Sequence, residues 1–359
     1  MSPTPTSSAV PRLTALATAT PAYDLLQEDV ADRAAALFAP VEGGFHRLAP
    51  VYRNAQIERR HACVPLDWFS EDHSFAERNA LFLENATALL VEAAQKALDE
   101  AQLTAADIDT IVTVCSSGIA TPALDARVME RLAFRRDVQR MPIFGLGCAG
   151  GVLGLSRAAA MAQAAPQSNV LLLVVELCSL TFRRQDRSKS NMVATALFGD
   201  GAAAAVITCR EDAANEGAPR LGPWGEHTWP DSLDVMGWEV ADDGLKVVFS
   251  RDIPTLVRDC LRPVIDSFLA RHEIALREID EFVCHPGGAK VLDALEDCFE
   301  LQRGALTHAR DTLRDHGNMS AVTVLFVLRA TLDARLKGRR LMTTLGPGFT
   351  AGMMMLEAA

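Results

Sequence analysis

The stretch Gly145-Leu146-Gly147-Cys148-Ala149-Gly150-Gly151 reads as a tight turn opening an apolar helix, and a quieter copy of it returns about half a chain later. Upstream, Asp107-Ile108-Asp109 leads into Ile111-Val112-Thr113-Val114 and then Gly118. Glu278-Ile279-Asp280 leads in the same way into Phe282-Val283-Cys284-His285 and then Gly287-Gly288. The helix opened at Gly147-Cys148-Ala149 is answered by one opened at Gly317-Asn318-Met319. Phe198-Gly199-Asp200-Gly201 before the run 202–207 is answered by Phe349-Thr350-Ala351-Gly352 before 353–356. The chain is a two-copy duplication. Its copies place a cysteine, a histidine and an asparagine at matching corners, a set suited to thioester chemistry.

Helical spacing of Leu and Ala predicts a helix over 80–103 before a buried strand at 108–115, and Pro122 opens a helix over 122–133. A second buried strand ends near Phe144, and the helix opened by Cys148 runs to about Gln163. Buried strands follow at 170–175 and 202–208. Residues 211–232, rich in Gly, Pro, Asp and Glu, read as the connection between an N-terminal half, 1–215, and a C-terminal half, 216–359. The second half repeats the plan with helix 254–271, strand 279–284, helices 289–300 and 319–335, and two strands ending near Leu356. Strands alternating with helices give an α/β fold, and its duplication gives a five-layer αβαβα body with Cys148 and Asn318 facing each other across a pseudo-twofold axis.

Composition excludes several classes. With 359 residues, 49% hydrophobic and 23% charged, the chain is globular. A net charge of −11 argues against sequence-independent nucleic-acid binding, which needs a basic footprint. Eight cysteines without a CxxC pair read as reduced thiols in a cytoplasmic protein. The Ser/Pro/Thr-rich segment 1–11 reads as a mobile tail without a signal layout. The apolar run 170–175 stops at Glu176, far short of a membrane span.

Small neighbours around Cys148 let a bulky thioester approach the sulfur, and a helix N-terminus favours the thiolate. The competing account is a cysteine chosen only for its size. His285, in Cys284-His285-Pro286-Gly287-Gly288, sits where a buried strand breaks, at the carboxyl edge that α/β sheets use for ligands. Histidines 46, 61, 73, 227, 272, 308 and 316 have no comparable setting. Asn318, in Asp315-His316-Gly317-Asn318-Met319-Ser320, is a good N-cap, and capping is its competing account.

At these residues the chain resembles the type III polyketide synthases, of which plant chalcone synthase is the familiar member. The resemblance runs from Thr18-Ala19-Thr20-Pro21 through the Cys148 turn, Thr181-Phe182-Arg183 and Leu197-Phe198-Gly199-Asp200-Gly201-Ala202. It continues through His285-Pro286-Gly287-Gly288, Gly317-Asn318-Met319-Ser320 and Gly346-Pro347-Gly348. The related ketoacyl synthases that start fatty-acid synthesis share the Cys/His/Asn set but read His-Gln-Ala-Asn and Gly-Asn-Thr-Ser. The resemblance implies a thiolase-like fold, acyl-CoA and malonyl-CoA as substrates, no metal or organic cofactor, and a homodimer that uses the segment 116–122. It makes Cys148 the nucleophile, His285 and Asn318 the pair that handles malonyl-CoA, and Phe198 a gate between the CoA tunnel and the cavity. Ser116, Glu176, Thr181 and Ser320 match cavity positions.

Three departures stand out. No Phe follows the nucleophile. A second gate Phe is replaced near Val247. The CoA-binding cations align near Arg47, Pro50 and Asn54, leaving Arg47 with Arg53 as a substitute. Val247 in place of an aromatic leaves room for an aliphatic chain. The run Leu233-Asp234-Val235-Met236-Gly237-Trp238 resembles that of bacterial enzymes that extend fatty acyl-CoA into alkylpyrones or alkylresorcinols, which implies a medium- or long-chain acyl-CoA starter. The basic run 183–189 reads as a solvated loop or as a magnet for CoA phosphates. A fatty-acid condensing enzyme of the ketoacyl synthase III kind, a cysteine-dependent thioesterase or acyltransferase, and a non-catalytic acyl-binding protein are the other readings in view.

Overall fold

The computed structural model describes residues 9–38, 44–211, 217–250, 252–334 and 337–358, with backbone alone for 44–48. Strand β1 (Arg12–Ala19) precedes a hairpin of β2 (Tyr23–Leu26) and β3 (Arg59–Ala62), which carries α1 (Gln27–Phe38) and α2 (Gly44–Asn54) between its strands. Then come α3 (Phe75–Glu100), β4 (Thr110–Cys115), α4 (Leu124–Met129), β5 (Gln139–Phe144) and α5 (Gly150–Ala164). The first half closes with β6 (Asn169–Leu177), α6 (Lys189–Leu197) and β7 (Asp200–Thr208). After it follow β8 (Arg220–Thr228), β9 (Met236–Ala241), β10 (Gly244–Phe249), α7 (Ile253–Leu256) and α8 (Arg262–Arg271). The chain ends with β11 (Glu281–Cys284), α9 (Ala289–Cys298), α10 (Thr307–His316), α11 (Thr323–Asp333), β12 (Gly338–Gly346) and β13 (Thr350–Ala358).

The duplication is visible in the strand order. One sheet runs β5-β4-β6-β7-β1, and it continues into β8-β13-β12-β11 through a single pairing of Arg12 with Arg220. In each half a parallel pair, β4/β6 or β11/β12, is followed by two antiparallel steps, β7 and β1 or β13 and β8. Among the described residues β5 has no counterpart beside β11.

Continuous apolar strands follow from burial on both faces. Side chains of a strand alternate between faces, and in β6 Val170, Leu172 and Val174 enter the central core while Leu171, Leu173 and Val175 enter an outer one. Helix α3 closes that outer core against β1, β6 and β7, its start fixed by a capping box of Ser74 and Glu77. Helix α5 lies in the middle layer, touching β4, β6 and β7 on one side and β8, β12 and β13 on the other. Phe268 of α8 covers the far face of the second sheet at Gly225. The result is the layered thiolase-like αβαβα body.

Several boundaries differ from the sequence expectation. The first long helix starts five residues early because the cap lies at Ser74. The strand ending at Phe144 is an edge strand, not a buried one, and Phe144 is 59% exposed. The segment read as a connection contains β8, whose mixed exposure hid its pairing with β13. The division at 215/216 falls outside the described residues, as does most of the tail over 1–11. Cys148 sits in a 3₁₀ turn, Gly147–Ala149, just before α5. Helix 319–335 is likewise a 3₁₀ turn, Ser320–Val322, followed by α11, and helix 254–271 is interrupted by a π-helical turn, Val257–Leu261.

The middle layer brings the two repeated corners into contact. A Cβ on Gly151 would lie 2.3 Å from the Ala321 carbonyl oxygen and 2.5 Å from Val324 Cγ1. Gly151→Ala is therefore expected to destabilise the fold by roughly 1–3 kcal/mol through overpacking, although alanine is the better helix former. A denaturant melt that leaves stability unchanged would contradict this contact.

Candidate active site

The Cys148 turn is wedged in place by backbone contacts. The Gly147 N–H donates to Ser116 Oγ at 3.0 Å, and Thr344 Oγ1 donates to the Cys148 carbonyl at 2.6 Å. Gly147 has φ +47°, and a Cβ there would meet Pro347 Cδ at 2.6 Å, so only glycine fits. The Cys148 sulfur lies 3.7 Å from Ser320 Oγ.

His285 follows the last residue of β11, and its N–H continues the pairing to Thr343 O at 2.9 Å. The ring is buried, yet neither nitrogen has a hydrogen-bond partner among the described residues. Asn318 is held by its backbone against Phe198. Its N–H donates to Leu197 O at 2.8 Å, and its carbonyl accepts from Gly199 N–H at 3.0 Å. Its side-chain oxygen accepts the Ser320 N–H at 2.9 Å, and its amide nitrogen donates to Gly287 O at 3.2 Å. The capping and donor accounts are therefore compatible: the oxygen caps the turn, which turns the NH₂ group the other way.

Cys148, His285 and Asn318 line one cavity of about 300 Å³ together with Leu197, Phe249 and Gly287. Lys290, in the first turn of α9, also lines it, and nothing in the sequence pattern marked that residue. Burial pushes the Cys148 thiol up to about 12 and pulls the His285 imidazole down to about 3. Neither group ionises alone here. A proton moved from one to the other leaves the cavity neutral overall.

The remaining expected residues divide among neighbouring spaces. Ser116 borders a hollow of about 900 Å³ that also involves Gly147, Met236, Trp238 and Pro347. Phe198, Thr181 and Val247 border a smaller apolar pocket of about 70 Å³ against α1. Ser320 is the sulfur's neighbour. Glu176 is wholly buried, with one oxygen accepting the Ser116 N–H at 3.0 Å and the other unpartnered. Arg53 is exposed and borders none of these spaces, and the Arg47 side chain lies outside the described residues. In the basic run, Arg183 pairs with Asp186 at 3.0 Å and Arg184 with Asp72 at 3.0 Å, so both charges are satisfied within the chain.

Sequence signatures of the N-terminal and C-terminal domains of chalcone and stilbene synthases match residues 68–211 and 226–358. The chain belongs to that family. It is similar to the 1,3,6,8-tetrahydroxynaphthalene synthase of Streptomyces peucetius subsp. caesius, 40% identical with 96% of this chain and 92% of the relative covered. It is 29% identical to the alpha-pyrone synthesis polyketide synthase-like Pks18 of Mycobacterium tuberculosis, over 98% of this chain and 92% of that one. The crystal structure of the Streptomyces coelicolor 1,3,6,8-tetrahydroxynaphthalene synthase, a bacterial type III polyketide synthase, superposes with a TM-score of 0.91. That match has 27% identity and covers 97% of this chain and 99% of the other. The chain is thus a type III polyketide synthase, an acyltransferase that works on CoA thioesters. No helix among the described residues is long and apolar enough to cross a membrane.

Burial raises the Glu176 carboxyl to about 7 from an ordinary 4.5. The folded protein then holds a proton that the unfolded chain has lost, so stability falls as pH rises from about 4.5 to 7. Glu176→Gln removes this contribution while keeping an acceptor for Ser116. Its stability relative to the parent should be greater at pH 8 than at pH 5, by on the order of 3 kcal/mol. Denaturant melts giving the same difference at both pH values would contradict the burial argument.

Proposed function

We propose that this polyketide synthase transfers a medium- or long-chain acyl group from CoA to Cys148. It then extends that group with malonyl-CoA toward alkylpyrone or alkylresorcinol products. The observation that supports this reading is the apolar wall beyond Phe198 and Val247. There Val30, Ala34, Leu37 and Phe38 border a pocket of about 70 Å³ that takes the first carbons of an alkyl group, with Arg33, Arg60, His61 and Asn191 on its polar side.

The Cys148 sulfur and the His285 ring share the cavity without a hydrogen bond between them in this structure. The mechanism begins when they come within reach on acyl-CoA binding: the proton passes to His285, and the thiolate is held as an ion pair while it attacks the acyl thioester. CoA leaves as its thiolate and takes the proton. Malonyl-CoA then binds with its thioester oxygen toward His285 Nε2–H and the Asn318 NH₂. Its carboxylate departs as CO₂ and leaves its electron pair in the enolate, whose oxygen these donors stabilise by about 3–4 kcal/mol each. The enolate carbon attacks the Cys148 thioester, the sulfur leaves, and the chain is two carbons longer. Decarboxylation supplies the electron pair, so the scheme calls on no metal or organic cofactor.

The name of the Streptomyces peucetius relative favours a second reading, a polyhydroxylated aromatic built without a fatty starter. Mass spectrometry of products from malonyl-CoA alone and with acyl-CoA starters of increasing length separates the two. Product that appears only with a fatty starter supports the first reading, whereas product from malonyl-CoA alone supports the second. Val247→Phe should shift preference toward shorter or aromatic starters with the fold retained, because the added ring narrows the way past Phe198. An unchanged preference for long starters would remove Val247 from the account.

The same proposal includes a cytoplasmic homodimer. All eight cysteines are free, which suits a reducing compartment. The 900 Å³ hollow opens beside Ile119, Phe144, Leu233 and Val240, with Leu233 85% and Val240 78% exposed, and among the described residues one edge of β5 is unpaired. A second copy would cover both liabilities. Light scattering should give twice the 38.8 kDa chain mass, and a single-chain mass at micromolar concentration would count against the dimer.

A further inference from the structure

Arg60 on β3 is buried, 3% exposed, and borders the apolar pocket rather than the catalytic cavity. Among the described residues its Nε has no hydrogen-bond partner, and the buried Asp200 acts on it electrostatically without a hydrogen bond or ion pair between the two side chains. Its guanidinium spends its hydrogen bonds on the end of α6. Nη1 donates to Thr195 O at 2.8 Å and to Phe198 O at 3.1 Å, and Nη2 donates to Ala196 O at 3.0 Å. A cation at a helix C-terminus satisfies carbonyls that have no partner in the helix and offsets the negative end of its dipole. A planar fork reaches three carbonyls at once, which a lysine ammonium on a flexible stem does less well.

The segment leaving α6 at Phe198 holds Asn318 through an isolated bridge. Leu197 O and Gly199 N–H form the two-bond bridge to the Asn318 backbone. The Arg60 stem lies along this bridge, since Cβ atoms on Gly199 and Gly317 would stand 3.3 Å and 3.5 Å from its own Cβ. The contacts run unbroken from the guanidinium to the carbonyls of Thr195, Ala196 and Phe198, then to the bridge, and then to the amide that faces the cavity.

We propose that Arg60 is a positioning residue for the decarboxylating half-reaction, fixing the Asn318 amide by clamping the segment 195–199 against it. The proposal rests on the reading of Asn318 as an enolate donor. Loss of the clamp should spare Cys148, whose turn is held by Ser116 and Thr344.

The test uses the full-length enzyme with Arg60→Lys, Arg60→Gln and Arg60→Met, compared with Asn318→Ala. Release of labelled CO₂ from malonyl-CoA and single-turnover acylation of Cys148 by an acyl-CoA are measured separately. The expected result is a fall of at least tenfold in the kcat of decarboxylation for Arg60→Met and Arg60→Gln, with a smaller fall for Arg60→Lys. KM for malonyl-CoA and the rate of Cys148 acylation should stay within about twofold of the parent. A role in folding alone would lower both half-reactions in proportion, and that outcome overturns the proposal, as does unchanged decarboxylation. Should Arg60→Met fail to fold, the lysine and glutamine variants decide by the same split. If Asn318→Ala itself decarboxylates normally, the donor reading fails and the proposal falls with it. If Asn318→Ala is inactive while the Arg60 variants are not, only the proposal fails.

Discussion

Everything in the site depends on the contact between Gly151 and the Ala321 carbonyl, where the helix after Cys148 meets the turn after Asn318 with no room for a methyl group. Each half alone presents one polar corner at the end of its own strands. Stacking the halves with their helices in a shared middle layer turns two corners into one cavity. Close-packed interiors hold such spacing firmly because neighbours cannot relax far. The same layer explains the strands: β6 and β7 are covered on both faces, so they are apolar throughout, and their alternating side chains feed two separate cores.

The cavity's chemistry follows from what burial leaves unsatisfied. Among the described residues neither ring nitrogen of the enclosed His285 has a hydrogen-bond partner, and the buried Glu176 carboxyl has one oxygen without a close one, with the Ser117 and Ser320 hydroxyls beside it. Most buried polar groups in proteins are paired, so these are the positions that the proposed reaction fills with substrate or a proton. Asn318 shows the opposite economy of design. Its oxygen is committed to the Ser320 N–H, which fixes the amide plane and leaves the nitrogen side toward Gly287 and the cavity.

Much of this was legible in the residues. The repeated corners carried the placement of Cys148, His285 and Asn318, because small residues around a turn and a polar residue after an apolar run are local signals. The duplication also anticipated that the second half repeats the first half's succession of strands and helices, though not the order of strands in the sheet. The rest required tertiary information. β8 contains Gly222, Pro223 and Gly225 and alternates irregularly in exposure, so its sequence looks like a linker until β13 pairs with it. Phe144 looked like a core residue because an apolar side chain on an edge strand has the same letter as one inside. Arg60 gave no signal at all: a buried arginine whose partners are backbone carbonyls is indistinguishable in sequence from a surface one. Likewise, the charges of Arg183 and Arg184 invite a search for an anionic ligand until their distant partners, Asp243 and Asp72, come into view.

The central claim is that the nucleophile of one half and the donors of the other perform separable steps within a single cavity. The most direct measurement is release of labelled CO₂ from malonyl-CoA by Cys148→Ala. That variant has no sulfur to load but retains His285 and Asn318, so CO₂ should still be released while no extended product forms. A Cys148→Ala protein that is folded and binds malonyl-CoA but releases no CO₂ would contradict the account.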